Sequence, residues 1–343
     1  MGAGESNPMK KYDFNSISKG RSFLMGIAAL WIMVYHSGVP FLLKDGNGFK
    51  HIIYILGYYN YLFKSLGQTG VDIALFLSAI GLYYSLEKND DVKEFYSRRI
   101  RRALPAYLLV NLLWEIYTFK SVLQSIFHIL GISLFTEGYR NNWFFTLIFF
   151  LYLIFPPAYR LYKRNGEKGI IVLIILDLAF NYVFSLLFPE LFLRCEILLR
   201  RIPVFLLGLL FSKTIKENKK TNPFIVLFIA LLGLALSFSY LSQEANITSR
   251  LYRYIESVFG ITVIIPFSYL YDYVKEGKLF RKITQVIEWC GNYSMETYLL
   301  YEKLLVVIEP LIGQYGSLCL AIIGAILCFL LVKPLRRFNS LFS

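Results

Sequence analysis

Ten apolar stretches, separated by short polar and charged runs, organise the chain. They fall at about 23–43, 66–86, 103–120, 142–162, 169–188, 198–212, 223–242, 251–274, 286–308 and 315–333. Each reaches or approaches the ~20 residues that an α-helix needs to cross ~30 Å of hydrocarbon. The pattern predicts an all-α, polytopic membrane bundle of about ten transmembrane helices. Residues 1–22 are read as an N-terminal tail, 23–333 as the membrane domain and 334–343 as a C-terminal tail. Two connecting segments, 44–65 and 121–135, carry semi-apolar stretches too short to span and are placed at the interface, with His51 and His128 in them. The sixth helix has two readings: it begins after Arg201, or Arg194 and Glu196 enter the membrane as a polar lining. Both leave Arg200 and Arg201 at the outer surface.

Composition agrees with the pattern. The chain is 56% hydrophobic with a mean hydropathy of +0.52, outside the soluble range. At 343 residues it has little room for a soluble catalytic module. The net charge of +13 could suggest nucleic acid. However, most of the 36 basic residues fall in alternate connecting segments, which is the positive-inside pattern. It sets both termini in the cytoplasm and excludes a nucleic-acid partner. Cys195, Cys290, Cys319 and Cys328 lie in or beside apolar segments without metal-ligand spacing and read as small core residues, with no disulfide indicated. No cleavable signal peptide is expected. The opening Met1-Gly-Ala-Gly-Glu-Ser6 fits only the loose myristoylation pattern, and Asn246-Ile-Thr248 is a glycosylation sequon that matters only in a eukaryotic secretory pathway.

Candidate chemistry begins at His36, near the far end of the first apolar segment and one of three histidines. Lipid cannot solvate an ionisable group, so such a residue usually faces a cavity used for chemistry or transport. Imidazole is also the side chain suited to exchange a proton near neutral pH. Asp72 falls in the first turn of its helix, where the dipole favours a carboxylate. It is read either as a helix-start anion or as a partner that orients the histidine. Arg98, Arg99, Arg101 and Arg102 are read as opening the third helix at the cytoplasmic face, with Pro105 in its first turns. Guanidiniums at a helix N-terminus can neutralise phosphates; simple membrane anchoring is the other reading. Asp177 and Asn181, four residues apart, share a helical face and either line a cavity or bond a neighbouring helix.

These residues resemble the integral-membrane acyltransferase type 3 family. The matching pieces are Val-Tyr-His36-Ser; Gly-Val-Asp72-Ile with Phe-Leu-Ser78-Ala-Ile-Gly and Phe-Tyr-Ser-Arg98-Arg99-Ile-Arg101-Arg102-Ala-Leu-Pro105; Asn-Trp143-Phe-Phe with Tyr152-Leu-Ile-Phe-Pro156 and Arg201-Ile-Pro203; and Gly291-Asn-Tyr-Ser294-Met-Glu-Thr-Tyr298-Leu. The resemblance implies a ten-helix bundle in a cell membrane of bacterial cytoplasmic type. It implies transfer of an acyl group, typically acetyl from acetyl-CoA at the cytoplasmic face, to a hydroxyl of a cell-surface or exported carbohydrate. Acyl-CoA is a donor substrate, with no permanently bound cofactor or metal. Polysaccharide-assembly proteins are possible partners.

The family's essential histidine falls on His36 and its cytoplasmic arginines on Arg98, Arg99, Arg101 and Arg102. His36 is then the expected general base, with Asp72 beside it and with Trp143, Tyr298, Tyr301 and Glu302 as pocket candidates. The sequence departs from the pattern at Met25, where an arginine is common, at Ala79, where glycine is usual, and at Tyr301, where histidine is frequent. Arg21 is the nearest basic residue before His36, roughly 22 Å away along the helix and about 60° around it. It is placed at the cytoplasmic entrance. The competing class is a transporter or flippase of a saccharide, against which no inverted repeat is visible.

Overall fold

A computed structural model describes residues 12–36, 66–118, 121–221, 228, 231, 248–275, 277–315 and 317–342. Expectations for Met1–Ser6, residues 37–43, His51, most of 223–242 and Asn246 lie outside the described residues. The described chain is almost entirely helical. In order it runs through α1 (Asn15–Lys19), α2 (Arg21–His36), α3 (Thr69–Lys88), α4 (Val92–Tyr117), α5 (Val122–Ile129), α6 (Ser133–Thr136) and α7 (Trp143–Leu187). It continues through α8 (Pro189–Leu199), α9 (Ile202–Lys216), α10 (Thr248–Val274), α11 (Lys278–Asn292), α12 (Ser294–Ile312) and α13 (Ser317–Ser340). One short antiparallel ladder pairs Tyr12 with Thr221 and Asp13 with Lys220.

Among the described residues, four helices are long and apolar enough to cross a membrane: Thr69–Lys88, Trp143–Leu187, and the stretches Ser257–Val274 of α10 and Cys319–Ser340 of α13. Their outward faces are apolar. Ile322, Ile326 and Leu330 recur every four residues on α13 and are exposed, as are Leu112, Leu113 and Ile116 on α4. Continuous apolar exposure of this kind suits lipid rather than water. Inside, Leu75, Leu77 and Ala79 of α3 pack against Leu147, Leu151 and Phe155 of α7 and Leu209 of α9 in one core.

Three expected boundaries are corrected. First, α4 starts at Val92 rather than near 103, because Asp91 caps it by accepting from the N–H groups of Lys93 (2.8 Å) and Glu94 (3.2 Å). The four arginines therefore occupy its second and third turns, and the helix dipole no longer helps them bind an anion. Second, the expected 286–308 helix breaks at Tyr293 into α11 and α12. Third, the sixth segment, expected at 198–212, is two helices, α8 and α9, the second beginning after Arg201 as the first of its two readings has it. Elsewhere α7 is two helical arms, as the expected 142–162 and 169–188 helices have it, meeting at a sharp break at Gly166, whose φ of 61° and ψ of −150° are not helical.

Helix crossings near the future site are set by missing side chains. A Cβ on Gly26 of α2 would lie 1.9 Å from the Ile287 carbonyl oxygen of α11. One on Gly291 would lie 1.8 Å from the Ser22 carbonyl oxygen. The two backbones touch, as small residues allow in membrane helices.

Pro105 sits mid-helix in α4, where its ring opens the ladder at the preceding turn. Asn339 of α13 reaches into the opening. Its Oδ1 accepts from the Ala106 N–H at 3.2 Å, and its Nδ2 donates to the Arg102 carbonyl.

Candidate active site

One cavity of about 280 Å³ runs along α2 between α3, α4, α7 and α12. From α2 it is lined by Arg21, Met25, Ala28, Ala29, Ile32, Met33 and His36. These positions recur at helical spacing, so one stripe of α2 forms a wall roughly 22 Å long at 1.5 Å per residue. Arg21 stands at one end and His36 at the other.

The arginine end holds three guanidiniums. Arg21, Arg99 and Arg102 all line the cavity and act electrostatically on one another. The Arg21 Nε donates to the Leu77 carbonyl at 3.3 Å, which lays the guanidinium beside Gly81. The Arg99 guanidinium lies over the Phe95 ring, 5.5 Å from its centroid, and its Nε is buried with no hydrogen-bond partner among the described residues. Among those residues, Arg98 is the member of the quartet with an ion pair, to Glu94 at 2.9 Å. Arg101 bonds the Ser97 hydroxyl at 3.0 Å. Neither Arg98 nor Arg101 lines the cavity. The quartet is thus divided by helix periodicity: 99 and 102 share the inner face, 98 and 101 an adjacent one.

The histidine end is built from α2, α7 and α12. The His36 ring meets Tyr35 edge-on at 5.0 Å. Glu302 of α12 lines the same cavity and is the charged group that acts on the imidazole. Tyr298, one turn before it, packs on Phe144 at 4.0 Å between centroids, and Tyr301 is buried against Met33 and Cys328. Tyr152, Ser78 and Ser294 supply further polar groups along the walls. A cation cluster can hold phosphates, and an imidazole beside a carboxylate can pass a proton. The long apolar wall between them suits a flexible arm joining those two sites.

The remaining residues singled out from sequence lie elsewhere. Asp72 is 1% exposed and off the cavity; it faces the Arg201 Nε at 3.6 Å and accepts from the Ser257 hydroxyl at 3.3 Å. Gly260 of α10 packs on its Cβ, so the aspartate ties α3, α9 and α10 together. Trp143 lies under the Arg201 guanidinium, 4.9 Å from Cζ, with its edge on Phe144. Arg200 pairs with Glu196 at 2.9 Å. Arg200 and Arg201 are both buried among the helices. Asn181 bonds Asp177 within its own helix at 3.0 Å. His128 is buried and hydrogen-bonded through Nδ1 to Glu115, not left in an interfacial loop. Asn339 and Lys303 had no sequence signal beyond their residue types.

No curated protein and no solved structure matches this chain significantly. A family described as an acyltransferase domain does, over residues 23–335. The match takes in nearly the whole chain, including His36, Arg99 and Arg102 of the cavity but not Arg21, and the protein belongs to the acyltransferase type 3 family of membrane acyltransferases.

Proposed function

We propose that the protein takes an acyl group, acetyl in the first instance, from acyl-CoA and transfers it to a hydroxyl of a cell-surface or exported carbohydrate. The observation that carries this reading is one cavity with Arg21, Arg99 and Arg102 at one end and His36 with Glu302 at the other. The three guanidiniums have no carboxylate within ion-pairing distance among the described residues, as a phosphate-binding cluster requires. The CoA phosphates would sit there, with the pantetheine arm along the α2 stripe and the thioester near His36.

In the transfer step His36 accepts the acceptor's O–H proton as its oxygen attacks the thioester carbonyl. The C–S bond breaks, and the thiolate leaves with that proton as free CoA. Glu302 stabilises the imidazolium formed between the two halves of the step. A two-stage route through acyl-His36 balances equally, with the imidazole nitrogen as the first nucleophile. The topology that fits has about ten crossings with both termini in the cytoplasm, so the basic end of the cavity meets cytoplasmic acyl-CoA. The setting would be the cytoplasmic membrane of a bacterium, with polysaccharide-assembly proteins as neighbours.

Binding of CoA to the purified full-length protein tests this directly. CoA should raise the melting temperature, and Arg99→Gln or Arg102→Gln should diminish the shift at a given CoA concentration. A wild-type protein that CoA does not stabilise, but which moves saccharide across vesicles without acyl-CoA, would instead be a transporter.

A further inference from the structure

A second histidine cluster lies beside the histidine end of the cavity, and the transfer step does not use it. His128 closes α5 and is 4% exposed. Its Nδ1 lies 3.0 and 3.2 Å from the two oxygens of buried Glu115. Its ring stacks on Tyr139, with centroids 3.8 Å apart and planes 12° apart. In the neutral tautomer that donates from Nδ1 to the Glu115 carboxylate, Nε2 presents a lone pair. That Nε2 is buried and has no hydrogen-bond partner among the described residues. The nearest polar group is the Glu137 carboxylate at 3.9 Å, too far for a hydrogen bond, on a side chain that is 45% exposed. Buried acceptors left unmatched are costly and uncommon, and one beneath a movable cover is where a ligand group can complete the set.

The surroundings indicate which ligand. The Tyr139 hydroxyl accepts from Trp114 Nε1 at 3.2 Å and from Asn141 Nδ2 at 3.1 Å, so its own proton is free to be donated outward. Asn142 donates to the His128 carbonyl at 3.1 Å, and Lys303 reaches the Asn142 amide oxygen at 3.5 Å. Lys303 also lies over the Trp114 ring, and its chain neighbour Glu302 lines the main cavity. Donors, acceptors and aromatic faces are mixed here. The exposed Glu137 offsets Lys303, which makes this a poor anion site. No group of three ligands suited to a metal exists among the described residues. A neutral hydroxylated molecule matches this mixture.

We propose that Trp114, His128, Glu137, Tyr139 and Asn141 form a subsite for a neutral polyhydroxylated ligand, with one ligand hydroxyl donating to His128 Nε2 as Glu137 swings aside. Its role as the acceptor's binding place rests on the acyl-transfer reading above; the binding itself does not.

The test is the melting temperature of the full-length protein with methyl α-glucoside and, separately, with CoA. The sugar should stabilise the wild type. His128→Asn keeps an N–H for Glu115 in place of Nδ1 but deletes Nε2, and it should lose the sugar shift while CoA still stabilises it. Asn141→Ala, at the half-buried rim, should weaken the apparent sugar affinity about tenfold, the effect of one hydrogen bond. If His128→Asn does not fold, Asn141→Ala decides alone. No sugar shift in the wild type, or an unchanged shift in the folded variants, overturns the subsite. A sugar shift without any CoA shift would keep the subsite and remove the acyl-transfer reading; the reverse result would do the opposite.

Discussion

Arg21 lies in the cavity against Gly81 of α3, where no side chain meets its guanidinium. A Cβ on Gly81 of α3 would stand 2.8 Å from Nη2 of the Arg21 guanidinium, which the Leu77 carbonyl holds from the other side. Met25, where the resemblance leads one to expect an arginine, lies one helical turn further along α2, and both residues line the same wall. Arg21 is thus placed to supply the positive charge that Met25 lacks. Gly81→Val should push the guanidinium out and weaken CoA binding by about tenfold to a hundredfold, the worth of a charge-assisted hydrogen bond. Arg21→Gln should match it. Isothermal titration with CoA checks both, and an affinity unchanged in either variant counts against this arrangement.

The arginine quartet should divide by face. Arg99→Gln and Arg102→Gln each remove a cavity cation, and each should weaken CoA about tenfold or more. Arg98→Gln and Arg101→Gln lose only exposed contacts to Glu94 and Ser97 and should shift affinity by less than about threefold. Equal losses at all four positions would mean that anchoring or net charge, rather than the inner face, governs donor binding.

Asp72 and Arg201 should matter through stability. Both are 1% exposed, and removing one partner of a buried pair leaves the other charge uncompensated. Asp72→Ala should lower unfolding stability by about 3–5 kcal/mol. The double variant Asp72→Ala/Arg201→Met should recover part of that loss. The protein that remains folded should bind CoA with wild-type affinity, since neither side chain lines the cavity. A stable Asp72→Ala protein with a large loss of donor affinity would instead place the aspartate in the reaction.

Asn339 should act on the donor site from a distance. It bridges the Ala106 N–H and the Arg102 carbonyl where Pro105 opens α4. Asn339→Leu should cost about 1–3 kcal/mol of stability by orphaning those groups, and it should weaken CoA binding by misplacing Arg102. Adding Pro105→Ala lets the helix close its own ladder and should restore stability. Thermal melts of the three proteins decide this; no rescue by Pro105→Ala would refute the bridging role.

Much of this was readable along the chain, for physical reasons particular to each residue. His36 and the arginines carry chemistry that lipid does not tolerate without purpose, so residue type and position sufficed to mark them. Arg21 shares a helical stripe with His36, which made its entrance position legible. The pairing of Asp72 with Arg201 was not, because it spans 129 positions and depends on how α3 meets α9. The start of α4 was misplaced because the helix runs beyond its apolar part, with Asp91 capping a charged first turn. The break at Tyr293 falls at the polar stretch Gly291-Asn292-Tyr293-Ser294, a local turn signal that reading 286–308 as one span passed over. His128 read as a loop residue because its partner, Glu115, is on another helix.

The most direct test of the central claim is thiol release from acetyl-CoA by purified His36→Gln protein, supplied with acceptor and shown by CoA-induced stabilisation to be folded. General acid–base catalysis by a positioned histidine contributes about 10²–10⁴-fold, so turnover should fall by at least the lower figure while CoA stabilisation persists. Turnover near the wild-type rate in that folded protein would contradict the account.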